Sequence, residues 1–417
     1  FKQKTAYEIM PSLVGSEMCI RDSNTFDQIM CVGAGKASVE MALALEHILG
    51  SRIFGGCLAI KNIPKYQPQK IQLFKASHPI PNTRSVQASK QILSLAQSLT
   101  QRDLLFVLVS GGASSLIASP APGLSLNDKK LTTSLLLRCG ATIQDINTVR
   151  KHLSSIKGGQ LAASTPATII TLVLSDVLGD DLTTIGSGPT IPDPTTFQDA
   201  QEVLRQFHLL DHVPVAVKNH LEKGIHRHIP ETPQVYAMNE SRVYHQLIGN
   251  NRLSVEGVLK QAEIEGMHSM LLTTTLQGEA REAGKIFGAI AKEIQASAYP
   301  IPRPACLVWG GEPTVTVKGT GRGGRAQELV LAAAIQIAGL KKSYVAGFGT
   351  DGNDGPTEVA GAMADGRTVE RAKKLHLDPQ QVLSKNDSYK FFKKVGGHIH
   401  TGTTGTNVND VYIQLTL

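Results

Sequence analysis

The chain has 417 residues, 41% hydrophobic and 18% charged, with 39 glycines and 20 prolines, a globular composition too long for one ordinary core. Its net charge of +7 is scattered along the sequence rather than gathered in blocks, and no finger or basic heptad pattern appears, so small anionic substrates are favoured over nucleic acid. No apolar run approaches the ~18 residues of a membrane span, and the five cysteines form no C-x-x-C pair, which points to a reduced, cytoplasmic protein rather than a membrane or disulfide-scaffold class.

Residues 1–23 are set apart as a suspect or frayed stretch, because 8–23 lacks a sustained apolar face and Leu13, Val14 and Ile20 are expected to stay out of any core. From Phe26 the pattern is strand, glycine turn, helix, and further short apolar runs follow at 56–60, 71–76, 104–109 and 168–174 with helical stretches between them. The runs LLFVLVS and TIITLVLS have no polar alternation, as expected of central strands in a parallel sheet covered on both faces. A Pro-rich, charged break at 224–233 suggests a first domain over 24–230 and a second over 231–417. In the second, strands are expected at 234–237, 270–274, 306–309, 344–348 and 411–417, helices at 241–265 and 279–296, and a Thr/Val hairpin at PTVTVKG that would make the sheet mixed.

Glycine-rich turns recur where strands end. Gly33-Ala34-Gly35-Lys36-Ala37-Ser38 lacks the residues of a Walker loop and of a dinucleotide fingerprint, but Lys36 at a strand-to-helix turn suits a phosphate or carboxylate. Gly111 and Gly112 would let a phosphate approach the backbone, and Ser114 could donate a hydroxyl; without G-x-S-x-G, phosphate cradling is preferred to a nucleophilic serine. The run Arg150, Lys151, His152, Lys157 reads as a solvated basic face. Asp176, at the next strand end, is the first choice for a magnesium ligand, with Asp180 and Asp181 as turn caps. Glu312 ends a later strand, Arg325 opens a helix after a glycine-rich entrance, Asp351 follows another strand, and Asn407 lies near the C-terminal one.

Taken in order, GKAS, SHPIPN, SGGASSL, NTVRKHLSSIKGG, LSDVLGDD, SGPTIPDPTT, WGGEPTV, GRGGRAQEL, GTDGNDGPTE, KNDSY and TGTTGTNVND resemble the glycerate 2-kinase (MOFRL) family from about Asp27 to the C-terminus. The resemblance implies an α/β fold of two domains, a Rossmann-like doubly wound N-terminal domain and a smaller C-terminal MOFRL domain, with transfer of the γ-phosphoryl of ATP to D-glycerate in a cleft. Lys36 and Arg325 match the family's suspected catalytic positions. Three positions depart from the family pattern: Ala326 where Asn is usual, Thr403 where Pro is usual, and Ala113 where a third Gly is common. The resulting expectation assigns catalysis to Lys36, Arg325 and Asp351, substrate contacts to Lys36, Arg325 and Glu312, and ATP contacts to Gly33, Gly35, Gly111, Gly112, Ser114 and Asn407. Mg2+ is expected on Asp176 and Asp351, with neither nucleic acid nor membrane as partner, and a homodimer is allowed. The rival readings are an NAD(P)H-dependent hydroxypyruvate reductase and a non-catalytic metabolite-binding protein.

Overall fold

The computed structural model describes residues 26–234 and 242–417. The segment 8–23, with Leu13, Val14 and Ile20, lies outside the described residues, as does most of the strand expected at 234–237. By contact the chain separates into two units after Ile248.

The first unit carries a six-stranded sheet built from β1 (Ile29–Ala34), β2 (Ile53–Ile60), β3 (Ile71–Lys75), β4 (Leu104–Ser110), β5 (Thr168–Leu174) and β6 (Val243–Gly249), in the order β3-β2-β1-β4-β5-β6. The pairs β1–β2, β2–β3, β1–β4 and β4–β5 are parallel. This is the doubly wound order, and its direction reverses between β1 and β4. All seven residues of β4 are buried, as its unbroken apolar run requires of a strand covered on both faces. Each such leucine or valine contributes about 1.5–3 kcal/mol of burial. Side-chain caps start the helices between the strands: reciprocal capping boxes at Asn82/Ser85, Ser125/Asp128, Thr142/Asp145 and Thr196/Asp199 satisfy N–H groups that the first turn leaves open. Helices Leu126–Arg138, Ile143–His152, Phe197–Gln206 and Val215–Ile225 share a separate apolar cluster around Leu136, Val149, Phe197 and Leu221.

The helix expected at 241–265 divides in two. Val243–Gly249 is the last strand of the first sheet, and only Asn251–Ile264 is helical, capped by the Asn250 side chain on Leu253 N–H. The alternation in VYHQLIG was masked by the helical run after it.

The second unit carries β7 (His268–Leu276), β8 (Ala305–Gly311), β9 (Ser343–Gly349), β10 (Gly361–Asp365), β11 (His398–Ile399) and β12 (Asp410–Thr416), ordered β11-β10-β9-β12-β8-β7. Its sheet is mixed: β7 runs parallel to β8, whereas β12 is antiparallel to both β8 and β9. The expected hairpin is not the cause, for PTVTVKG contains only an isolated bridge from Thr314 to Glu279, and Thr316 instead donates to the Glu279 carboxylate. Helices Ala280–Ser297 and Arg325–Gln336 cover one face, with Phe287 stacked 3.9 Å from Trp309, and Asn251–Ile264 covers the other. Gly284 permits the close approach of the first two, since a Cβ there would lie 2.3 Å from the Leu329 carbonyl. Among the described residues no helix is long and apolar enough to cross a membrane.

Candidate functional site

In the first unit the loops at the carboxyl ends of the strands converge. β1 and β4 run in register, Ala34 beside Val109, so the turns that follow them lie side by side. Lys36 N–H donates to the Gly111 carbonyl at 2.9 Å and Ala37 N–H to Ser110 Oγ at 3.1 Å. Gly35 has φ +136°, and a Cβ there would lie 2.0 Å from Ser110 Oγ, so this contact needs glycine. Gly111 packs against Asp176 from the end of β5, and Gly112 against His78 from the loop after β3. Lys36 is exposed, and among the described residues its Nζ has no hydrogen-bond or ion-pair partner. Burial, and then the charges of Lys36 and Lys61, hold the His78 imidazole below its ordinary range, which favours the neutral ring.

Two of the expected contacts are placed differently. Gly33 lies inside β1, where a Cβ would meet the Leu108 carbonyl at 2.3 Å, so its role is strand packing. The Ser114 hydroxyl faces inward, 2.9 Å from both Lys157 Nζ and Ser187 Oγ. Asp181 binds Thr183 and Thr184 in a local turn, as expected of a cap. A cavity of about 640 Å³ lined partly by Gln101, Thr165, Thr168 and Arg242 lies where β5 begins, at the edge opposite these loops.

Alanine at Gly111 tests this packing. Its Cβ would lie 2.0 Å from Asp176 Oδ2 and 2.6 Å from Cγ, so either the carboxylate or the turn must move. The variant is expected to lose about 1–3 kcal/mol, the usual range for overpacking, and most activity. Chemical denaturation with a turnover assay measures both.

In the second unit Arg325, at the start of its helix, is held on two sides. Its Nε and Nη2 donate to the two oxygens of Asp410 at 2.6 and 3.1 Å, and its Nη1 donates to Glu312 at 2.8 Å. The guanidinium is therefore first an ion-pair partner, and a third of its side chain remains open to a ligand. Asp410 is buried and also accepts from the Tyr412 hydroxyl at 2.9 Å. Burial pushes its carboxyl up to about 6 even though Arg325 pulls the other way, and the neighbouring Asp354 adds to the rise. Asp351 accepts from Asn353 N–H and lies across Gly349 from Asp410. Asp354, the second acid of the D-x-x-D spacing, caps the Arg325 helix instead of facing a cation, accepting from the N–H groups of Ala326 and Gln327 at 3.0 and 2.9 Å. Asn407 accepts from Asn409 N–H in a local turn. Ala326 is completely buried behind Arg325, so the departure from the family pattern there falls on a core position.

The basic run is not a solvated face. Lys151 is buried against Asp193 at 3.3 Å, and His152 lies 2.9 Å from Glu231 and edge-on to Phe197. Lys157 is 2% exposed. A one-dimensional charge run carries no sign of this, because helices Phe197–Gln206 and Val215–Ile225 reach it only through tertiary packing. The residues to which motif reading gave no role are Asp410, Asp354, His78 and Lys129; the first three stood within motifs already singled out, and Lys129 stood in none.

Comparison with known proteins adds a history to this geometry. Residues 3–222 match a domain of unknown function (DUF4147) and residues 305–410 match the MOFRL family. The chain is 42% identical to the glycerate 2-kinase of Pyrococcus horikoshii, with 93% of this chain and 87% of the relative covered. It is 41% identical to the D-glycerate 2-kinase of Thermotoga maritima over 93% of this chain and 91% of that one. A protein of Agrobacterium vitis named as a putative hydroxypyruvate reductase is 39% identical over 91% and 97%. The crystal structure of the Thermotoga maritima glycerate kinase superposes with a TM-score of 0.91 at 38% identity, covering all of this chain and 96% of the other. With a two-unit α/β fold and relatives of this likeness along nearly its whole length, the chain belongs to the glycerate 2-kinase (MOFRL) family.

Proposed function

We propose that the chain transfers the γ-phosphoryl group of ATP to the 2-hydroxyl of D-glycerate, giving 2-phosphoglycerate and ADP. The observation that carries this reading is the meeting of Lys36, the Gly111–Gly112 turn and Asp176 beside the β1/β4 reversal, where open parallel sheets hold phosphate-bearing ligands. Such transfer passes through a loose transition state, so the chain's task is positioning and neutralising charge. Lys36, whose Nζ has no partner among the described residues, neutralises the moving phosphoryl group, and Arg325, fixed by Asp410 and Glu312, offers its open edge to an anionic group. Asp351 orients the glycerate hydroxyl and accepts its proton as the new P–O bond forms and the bond to ADP breaks.

Among the described residues no three His, Cys, Asp or Glu side chains group closely enough to cage a metal. Magnesium is usually held by one or two carboxylates together with substrate phosphates, and either Asp176 or Asp351 would fit as such a single carboxylate. When bound, it supplies further neutralisation of the phosphate charge. The reductase reading is weaker, because β2 runs into Lys61 and Asn62 and offers no acid for a nucleotide ribose. A cytoplasmic location belongs to the same proposal.

Phosphorus and carbon NMR of the chain with ATP and D-glycerate tests it. ATP consumption that depends on D-glycerate and yields 2-phosphoglycerate is expected. Phosphate on the other hydroxyl would move the assigned carbon, and oxidation of NADH by hydroxypyruvate without ATP consumption would replace the reading.

A further inference from the structure

The first unit buries positive charge that nothing in the described residues neutralises. Lys129 is 7% exposed and Lys157 2%, and Arg150 stands half-buried one helical turn after Asn147. Neither lysine nor Arg150 forms an ion pair among the described residues, although Lys151 next to them is matched by Asp193. The lysines reach only neutral atoms: Lys129 Nζ donates to the Ser119 carbonyl at 3.4 Å, and Lys157 Nζ to the Ser114 carbonyl at 2.7 Å and hydroxyl at 2.9 Å. The three cations stand close enough to act on one another. Burial first, and then Arg150, push Lys129 down to about 7; burial, Lys129 and Arg150 push Lys157 down as well.

A second, independent feature is a chain of hydrogen bonds whose direction is fixed. Lys157 donates to Ser114 Oγ, that hydroxyl donates to Ser187 Oγ at 2.9 Å, and Ser187 donates to Asn147 Oδ1 at 3.0 Å. The Asn147 amide nitrogen is left with no acceptor, although the residue is 4% exposed. A buried donor without an acceptor costs about 1–3 kcal/mol, and an unmatched buried charge more. Donors are thus gathered here from three segments, and among the described residues none of the three cations forms an ion pair with a carboxylate.

We propose that Asn147, Arg150, Lys129 and Lys157 form a binding site for an oxyanion, either the carboxylate of the hydroxy acid or a phosphate of the nucleotide. The assignment rests on the kinase reading for its two candidate sources, but the site itself is read from binding alone. Arg150 and the Asn147 amide contact the anion directly, and Lys129 and Lys157 supply the field that holds it. The cluster is a functional feature that costs the free protein stability, as buried charge at a site commonly does.

Inorganic phosphate is the first probe, titrated against the full chain while the melting temperature is followed. It is expected to raise the melting temperature of the wild type. The half-saturating concentration should rise at least tenfold in Arg150→Gln and in Lys129→Met. Without ligand, Lys129→Met should melt at or above the wild type, because it removes an unmatched buried charge; a purely structural lysine would give the opposite. Parallel titrations with D-glycerate and with ATP identify the source as whichever ligand loses tenfold in Arg150→Gln. These readouts require no turnover, so they separate a failed kinase reading from a failed site. Wild-type binding of all three ligands by both variants, or a marked fall in the ligand-free melting temperature of Lys129→Met, would overturn the proposal.

Discussion

Arg325→Met is expected to lower the stability of the second unit by about 3 kcal/mol, the lower end for breaking a buried ion pair because the guanidinium is a third exposed. Most of that loss comes from Asp410. Its carboxylate, 2% exposed, keeps Tyr412 as a partner but loses both guanidinium hydrogen bonds. The sign with pH follows from the direction of its shift. In the folded wild type the carboxyl titrates at about 6, above its ordinary range near 3.9, so this group favours the fold most below the unfolded value, and that contribution falls as pH rises through 6. Without Arg325 the carboxyl rises further. The deficit of the variant should therefore be larger at pH 8, where the unpaired group must ionise, than at pH 5, where it can stay neutral. Urea denaturation at the two pH values measures this, and a deficit independent of pH would remove Asp410 as the cause. Adding Asp410→Asn to Arg325→Met should recover part of the stability at pH 8 without restoring turnover, which separates the pair's structural role from the proposed action of Arg325 on the phosphoryl group.

Lys36→Ala is expected to behave in the opposite way, with turnover reduced about 10²–10³-fold, the usual effect of removing a group that stabilises transition-state charge, and no change in melting temperature. Among the described residues the exposed side chain has no hydrogen-bond or ion-pair partner, whereas its backbone N–H bond to Gly111 survives the substitution. A second readout fixes the geometry independently of activity. After burial, Lys36 is the strongest charge acting on His78, so in the variant the imidazole should titrate higher, which proton NMR of the histidine resolves. Unchanged turnover would remove Lys36 from the proposed mechanism, and an unmoved His78 would place its charge elsewhere.

The sequence by itself determined the parallel sheet of the first unit, because LLFVLVS and TIITLVLS have no polar alternation and a strand of that kind is stable only when covered on both faces. It also determined where the glycine turns gather, since turns directly after buried strands leave backbone and short side chains at the carboxyl edge, as Gly35, Gly111 and Gly112 do. Charge was legible only as composition. The run at 150–157 reads as solvated, and Asp410 reads as the flank of a strand, because a linear pattern does not contain the distance to a partner far along the chain. Tertiary structure decided that Arg325 lies against Asp410, 85 positions later, and that helices from 197–225 close over Lys151 and His152. It likewise decided that Lys129, Arg150 and Lys157 stand together with no ion-pair partner among the described residues. The physical reason is that an ion pair or a buried charge depends on separation and burial in space, which packing sets, whereas strand type depends on the local order of apolar residues, which the sequence states directly.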